Sequence, residues 1–319
     1  MAERKKIIAF ILRLSVSAGL LIVLFTRVDM RSLTLAVKNA DKIILLVAFL
    51  ALFLDYLLAF LRWQMLIKAY GIEVSISRLA VSYSAGLFFN ALLPSTIGGD
   101  LARSFDLGTF AKKIRRSIAT VILDRLSGYV GVILVVLPAV FLKPELLQDK
   151  LILLSVIAMV AIFIVVVMLL FNRAAYLQAS RFLGFLKLGR FSQSLKDLHQ
   201  DMHDLAGLPR SVIPLNLIVS VFIQGIGPIV FYFIALALGI KVNILYYLIY
   251  IPLVGVITLL PVSIGGLGLR DATIVFLFAR LGVPQDAALA MSLLFFAFSF
   301  IYATLGGIVY VFSLRTRRI

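Results

Sequence analysis

The chain has 319 residues, of which 62% are hydrophobic and 14% charged, with a mean hydropathy of +1.10. A soluble domain is about half apolar and a quarter charged, so a water-soluble globule is excluded and a membrane-embedded chain is expected. The formal net charge of +16 would suggest nucleic acid in a soluble protein but here reads first as topology, and the lack of cysteine excludes a disulfide framework or a thiolate metal site.

Apolar runs long enough to cross about 30 Å of hydrocarbon recur at roughly 7–25, 43–67, 117–142, 151–171, 212–239 and 286–312. The first reads as a retained helix, because no small-residue cleavage site follows Met1 to Lys6 and Arg27 comes directly after the apolar stretch. The second carries Asp55, Tyr56 and Arg62, with Asp55 in mid-span. The segment from about 79 to 111 is apolar but broken by Pro94, Gly98 and Gly99, and basic residues flank both of its ends. It therefore enters and leaves from one side, as a re-entrant hairpin. In the third span, Asp124 and Arg125 stand eight or nine residues inside, roughly 12 Å deep at 1.5 Å per residue. Charges at that depth are costly and usually functional.

Residues 172–211 form one sizeable polar segment, in which Phe191, Leu195, Leu198, Met202 and Leu205 fall at helical spacing, as in an amphipathic helix lying along cytoplasmic headgroups. His199 and His203 on it are four apart, but without a third strong ligand no metal site is expected. The segment from about 244 to 282 is again broken, at Pro261, Gly265 and Gly266, and reads as a second hairpin entering from the opposite side. The larger share of the basic residues then falls inside, with both termini cytoplasmic.

The two breaks are copies. Leu92 to Arg103, LLPSTIGGDLAR, aligns without gaps on Leu259 to Arg270, LLPVSIGGLGLR, with seven of twelve positions identical. A shared proline, glycine pair and arginine at identical offsets indicate an internal repeat, about 43–142 and about 212–312, and opposite entry sides make it an inverted one. Transporters built this way hold substrate between broken helices at mid-membrane. The expected fold is all-α and polytopic, with two inverted-topology repeats each holding a Pro/Gly-broken re-entrant hairpin.

The candidate substrate-binding residues follow from these breaks. Pro94 stops one half-helix, Gly98, Gly99, Gly265 and Gly266 permit tight backbone, and the next half-helix offers N–H groups that attract phosphate. Arg103 and Arg270 lie about one turn further on, where a guanidinium adds a forked contact; close helix packing and snorkelling are the alternative roles. Asp100 either caps its half-helix or serves the site, Asp271 lies beside Arg270, and Asn90 either satisfies freed backbone groups or lines the site. Asp124 and Arg125 either form an internal ion pair, with Asp100 and Arg103, or take part in binding. No P-loop, HExxH or GxSxG motif occurs, so no cofactor, metal or familiar hydrolytic chemistry is expected.

At these residues the chain resembles the transmembrane, flippase-like region of the lysylphosphatidylglycerol synthases and its stand-alone relatives. The resemblance rests on Asn90, the Pro94 to Arg103 run, the Asp124-Arg125-x-x-Gly128 run and the Pro261 to Asp271 break, and extends over nearly the whole chain. It implies translocation of an anionic or modified phospholipid, or a polyprenyl-phosphate-type lipid, between leaflets of an inner or plasma membrane. The aminoacyl-transferase domain of the bifunctional synthases is absent from this sequence, so a stand-alone member is expected, without enzyme activity. The alternative is a membrane-embedded transferase or accessory subunit acting on a polyprenyl-phosphate-linked substrate. Expected partners are membrane lipid and either a second copy or a separate lipid-modifying synthase, with no nucleic acid.

Overall fold

The computed structural model describes residues 29–93, 96–185, 212–258 and 266–316, together with positions 15, 19, 20, 22–24 and 26. The described residues form helices joined by short turns. They are α1 (Met30–Asn39), α2 (Lys42–Ala69), α3 (Ile76–Leu92), α4 (Thr96–Phe110), α5 (Ile114–Phe141), α6 (Lys150–Phe171), α7 (Arg173–Phe185), α8 (Val212–Ala237), α9 (Ile244–Ile257), α10 (Leu269–Ala279) and α11 (Gln285–Thr316). Five of them, α2, α5, α6, α8 and α11, hold stretches long and apolar enough to cross a membrane, and they match the last five of the six expected spans. The expected span at 7–25 and most of the amphipathic segment, from 186 to 211 and including both histidines, lie outside the described residues.

Local sequence sets the helix starts. Asp41 accepts from the N–H groups of Ile43 and Ile44, Ser75 from Arg78 and Asn243 from Leu245, each satisfying donors that the first turn cannot pair internally. The outward faces of the spans are apolar: Leu46, Leu50 and Phe53 on α2, Ile157 and Ile162 on α6, Ile218 and Phe222 on α8, and Leu305 and Phe312 on α11 are all exposed. Such a belt is unstable in water and suits hydrocarbon. The interior is closed by Val230 and Ile234 of α8, Tyr247 and Ile249 of α9, Ile274 and Phe278 of α10 and Ala288 to Met291 of α11, all fully buried.

The packing pairs come in matched sets. α2 lies against α8, α3 packs on α4 as α9 packs on α10, and α4 on α5 as α10 on α11. Across the molecule α3 contacts α11 as α9 contacts α5, and α8 contacts α5 as α2 contacts α11.

The described glycines of the two copies serve different local needs. Gly98 and Gly99 sit inside the first turn of α4, where a Cβ on Gly99 would fall 2.1 Å from the Gly86 carbonyl oxygen and one on Gly98 2.6 Å from the Leu93 side chain. They let α3 and α4 touch backbone to backbone. In the second copy Gly266 has φ +77° and Gly268 φ +79°, a left-handed conformation that side chains resist, immediately before α10. Gly99→Ala is therefore expected to destabilise the fold by about 1–3 kcal/mol, read as a lower melting temperature in detergent. Gly225→Ala, whose Cβ would meet nothing within 4 Å, is the control expected to melt like the parent.

Candidate functional site

Five charged side chains from three helices meet in the interior. Arg62 of α2 donates through Nε to Asp124 Oδ1 of α5 at 2.7 Å, and Arg103 of α4 donates through Nη2 to Asp124 Oδ2 at 2.9 Å. Arg103 Nε donates to Asp100 Oδ1 at 2.9 Å, and Asp100 Oδ2 pairs with Arg125 Nε of α5. The order Arg62, Asp124, Arg103, Asp100, Arg125 alternates in sign, so both oxygens of each carboxylate are used and a cation stands at each end.

The surroundings fix this chain of charges. The Arg103 guanidinium lies 4.7 Å from the Trp63 ring centre and 5.8 Å from that of Tyr83, a cation–π seat that holds its plane. Trp63 is itself pinned through Nε1 to Thr120 Oγ1 at 3.1 Å. Arg62 also donates through Nη1 to Ser220 Oγ of α8 at 3.1 Å. Gly128 is small for the same reason: its Cβ would stand 3.3 Å from Arg62 Nη1, so a side chain there would press on the guanidinium. Gly131, one turn on, lets the α8 backbone approach, since its Cβ would meet the Ser220 carbonyl at 2.7 Å.

The expected candidates divide by position. Asp100 is the fifth residue of α4, well past its start, and its carboxylate serves Arg103 and Arg125 rather than a helix cap. Asn90 accepts from the Gly99 N–H at 3.0 Å through Oδ1 and so ties α3 to α4. In the second copy, Asp271 accepts from the Gly268 N–H at 2.9 Å and from Arg270 Nη2 at 3.0 Å, while Ser292 of α11 donates to the same carboxylate at 2.5 Å. Arg270 thus reaches its own neighbour, with its guanidinium 5.4 Å from the Phe296 ring centre. Gly266 stands at the entry to α10, whereas Pro94, Pro261 and Gly265 lie outside the described residues.

Beside the charge chain is a cavity of about 340 Å³ between α5, α8 and α9. Its polar lining is Arg62, Arg125, Tyr129 and Gln224. Its remaining wall is apolar or bare backbone: Gly128 and Val132 of α5, Gly227 and Pro228 of α8, and Ile251, Pro252, Gly255 and Val256 of α9. Arg62 and Arg125 are the two end cations of the chain, so the network delivers its unshared positive charge to this space. The volume lies within the range of small-ligand pockets, about 300–1,000 Å³.

Sequence reasoning identified Arg125, Asp100, Arg103 and Asp124 but placed Arg62 with the cytoplasmic cations, whereas its side chain is 8% exposed and joined to Asp124. Its spacing of seven residues from Asp55, two turns along one helix face, was the available signal. Gln224, Gly227 and Gly255 had none beyond the presence of polar and small residues within apolar spans.

A family model described as the lysylphosphatidylglycerol synthase transmembrane region matches residues 10–307. A UPF0104 membrane protein of Methanothermobacter thermautotrophicus is 26% identical over 279 residues, covering 80% of each chain. The UPF0104 membrane protein PH1989 of Pyrococcus horikoshii is 24% identical over 299 residues, covering 85% of this chain and 87% of that one.

Proposed function

The chain belongs to the lysylphosphatidylglycerol synthase transmembrane-region family, and from that membership together with the cavity between α5, α8 and α9 we propose that it moves an anionic lipid between membrane leaflets. The observation that carries the reading is the polarity of that cavity. Its lining holds two guanidinium groups and a carboxamide, suited to phosphate oxygens, together with apolar side chains suited to the start of an acyl or isoprenoid chain. An amphiphile needs both within one space.

The matched packing pairs favour an inverted repeat, in which α2 to α5 and α8 to α11 are equivalent halves and the cavity lies at their interface. In that arrangement α3–α4 and α9–α10 are the re-entrant hairpins, and relative movement of the halves opens the cavity to each leaflet in turn. The orientation with both termini cytoplasmic follows from the basic residues of the loops. The substrate class is a lipid with a phosphodiester or phosphomonoester head, whether a phospholipid or a polyprenyl phosphate. A separate lipid-modifying synthase or a second copy of the chain is the expected protein partner.

The test uses purified protein in sealed vesicles carrying fluorescent phosphatidylglycerol, with the outer leaflet read by chemical quenching. The parent protein is expected to equilibrate the probe between leaflets. Gly227→Leu fills the cavity where an added Cβ meets nothing within 4 Å, so it should fold normally. It is expected to slow equilibration at least roughly tenfold, matching an overpacking cost of about 1–3 kcal/mol in the occupied state. A parent that leaves the probe in place, or a Gly227→Leu variant as fast as the parent, would overturn the reading.

A further inference from the structure

Asp55 is the fourteenth residue of the 28-residue helix α2, so it stands at mid-membrane. Its Oδ1 is buried and has no hydrogen-bond partner among the described residues, although Phe53, Leu54 and Leu57 around it on the helix face outward. A carboxylate at that depth requires a counter-charge, whereas a carboxylic acid does not. Arg62 acts on it electrostatically from two turns away, about 10 Å along the same helix face.

The charge balance gives this position its meaning. Arg62, Arg103 and Arg125 against Asp100 and Asp124 leave one unshared positive charge. The other buried ion pairs, Arg78 with Asp106 and Arg270 with Asp271, are neutral in themselves. An ionised Asp55 therefore brings the described interior to neutrality while the cavity is empty. A lipid head carrying one negative charge beside Arg62 and Arg125 would supply the same balance, and Asp55 would then be a second, uncompensated anion in a medium of low dielectric.

Resting on the lipid-translocation reading above, we infer that Asp55 is a proton-binding site linked to the cavity: a carboxylate when the cavity is empty, a carboxylic acid when an anionic head occupies it. The proton comes from water and forms the O–H bond on Asp55 as the lipid anion enters, so the loaded and empty states have equal net charge. One proton then accompanies each singly charged lipid.

The groups around Asp55 are compatible with this role. Arg62 of α2 acts on Asp55 directly, and Asp55 acts in turn on Tyr56 of α2 and Tyr83 of α3; Tyr302 of α11 and Arg270 of α10 act on Tyr56, and Arg103 of α4 and Asp124 of α5 act on Tyr83. The Tyr302 hydroxyl is committed to the Phe49 carbonyl at 2.9 Å. α8, packed along α2, adds the neutral Asn216, Ser220 and Gln224 and no charged side chain.

The experiment titrates detergent-purified protein with dioctanoyl phosphatidylglycerol, whose phosphodiester keeps one negative charge across the range used, in weakly buffered solution with a pH indicator. About one proton should be taken up per lipid bound, and affinity should rise up to about tenfold for each unit of pH lowered across the window in which Asp55 is ionised only in the empty state. Asp55→Asn should bind with no proton uptake and no pH dependence, and Asp55→Glu should restore both. Binding by the parent without proton uptake, or equal uptake by Asp55→Asn, would overturn this inference and leave translocation standing. Failure of the parent to bind the probe would overturn the anionic cavity and this inference together. Proton-linked binding without leaflet exchange in vesicles would overturn translocation and leave Asp55 as the proton site.

Discussion

Asp124→Asn is expected to produce the largest loss of stability of any single change in the interior. Asp124 is 4% exposed and its two oxygens hold Arg62 and Arg103, whose side chains are themselves 8% and 7% exposed. Replacing the carboxylate with a neutral amide leaves Arg62 without a carboxylate partner and Arg103 sharing Asp100 with Arg125, and turns one amide nitrogen towards a guanidinium. Breaking a buried pair by removing one partner costs about 3–5 kcal/mol. In detergent this should appear as a sharp fall in melting temperature and in the monodisperse fraction. Adding Arg62→Met should recover part of the loss, because an apolar chain of similar length removes the buried cation that no longer has a carboxylate partner. An Asp124→Asn protein that melts with the parent would show that the pairs contribute no stability.

Arg125→Gln is expected to have the largest effect on ligand binding at the least cost to the fold. Arg125 is the terminal member of the charge chain, with 28% of its side chain accessible, and Asp100 keeps its bond to Arg103 when Arg125 is replaced. A charge-assisted hydrogen bond contributes about 1.5–3 kcal/mol, so affinity for dioctanoyl phosphatidylglycerol should fall roughly ten- to more than a hundredfold. Binding of a zwitterionic phosphatidylcholine of the same chain length should change less, because its own choline cation already balances its phosphate and the head adds no net negative charge to the cavity. Arg125→Lys separates the two components of recognition: partial retention indicates attraction by charge, near-complete loss indicates dependence on the forked donor geometry. Equal affinity of parent and Arg125→Gln for both lipids would remove the cavity from any role in anion recognition.

The contrast between the two arginine copies explains why the same motif leads to different expectations. Arg103 and Arg270 occupy matching positions in the copied runs, yet Arg103 bridges two carboxylates on two helices while Arg270 is held by its own neighbour Asp271 and by Ser292. Position 100 is Asp in one copy and its counterpart 267 is Leu in the other, so only the first half can extend its charge chain to Arg125. The interior is therefore asymmetric in charge even though its helix packing is matched.

Composition alone determined that the chain is helical and membrane-embedded, because long apolar runs without water to pair their backbone must satisfy it internally. The spans at α2, α5, α6, α8 and α11 were readable from run length, and the copied breaks from their identical residues at identical offsets. The presence of Asp124 and Arg125 inside an apolar run was enough to mark them as interior residues, since lipid would not tolerate them. Tertiary structure alone decided which charges meet. Sequence places Arg62 near a cytoplasmic end, but the packing of α2 against α5 and α8 buries it on Asp124 and Ser220. The cavity was invisible for the same reason: its lining comes from α2, α5, α8 and α9, helices that lie far apart in the chain. Periodicity and spacing describe one helix at a time, whereas which cation faces which space depends on how helices far apart in sequence are brought into contact.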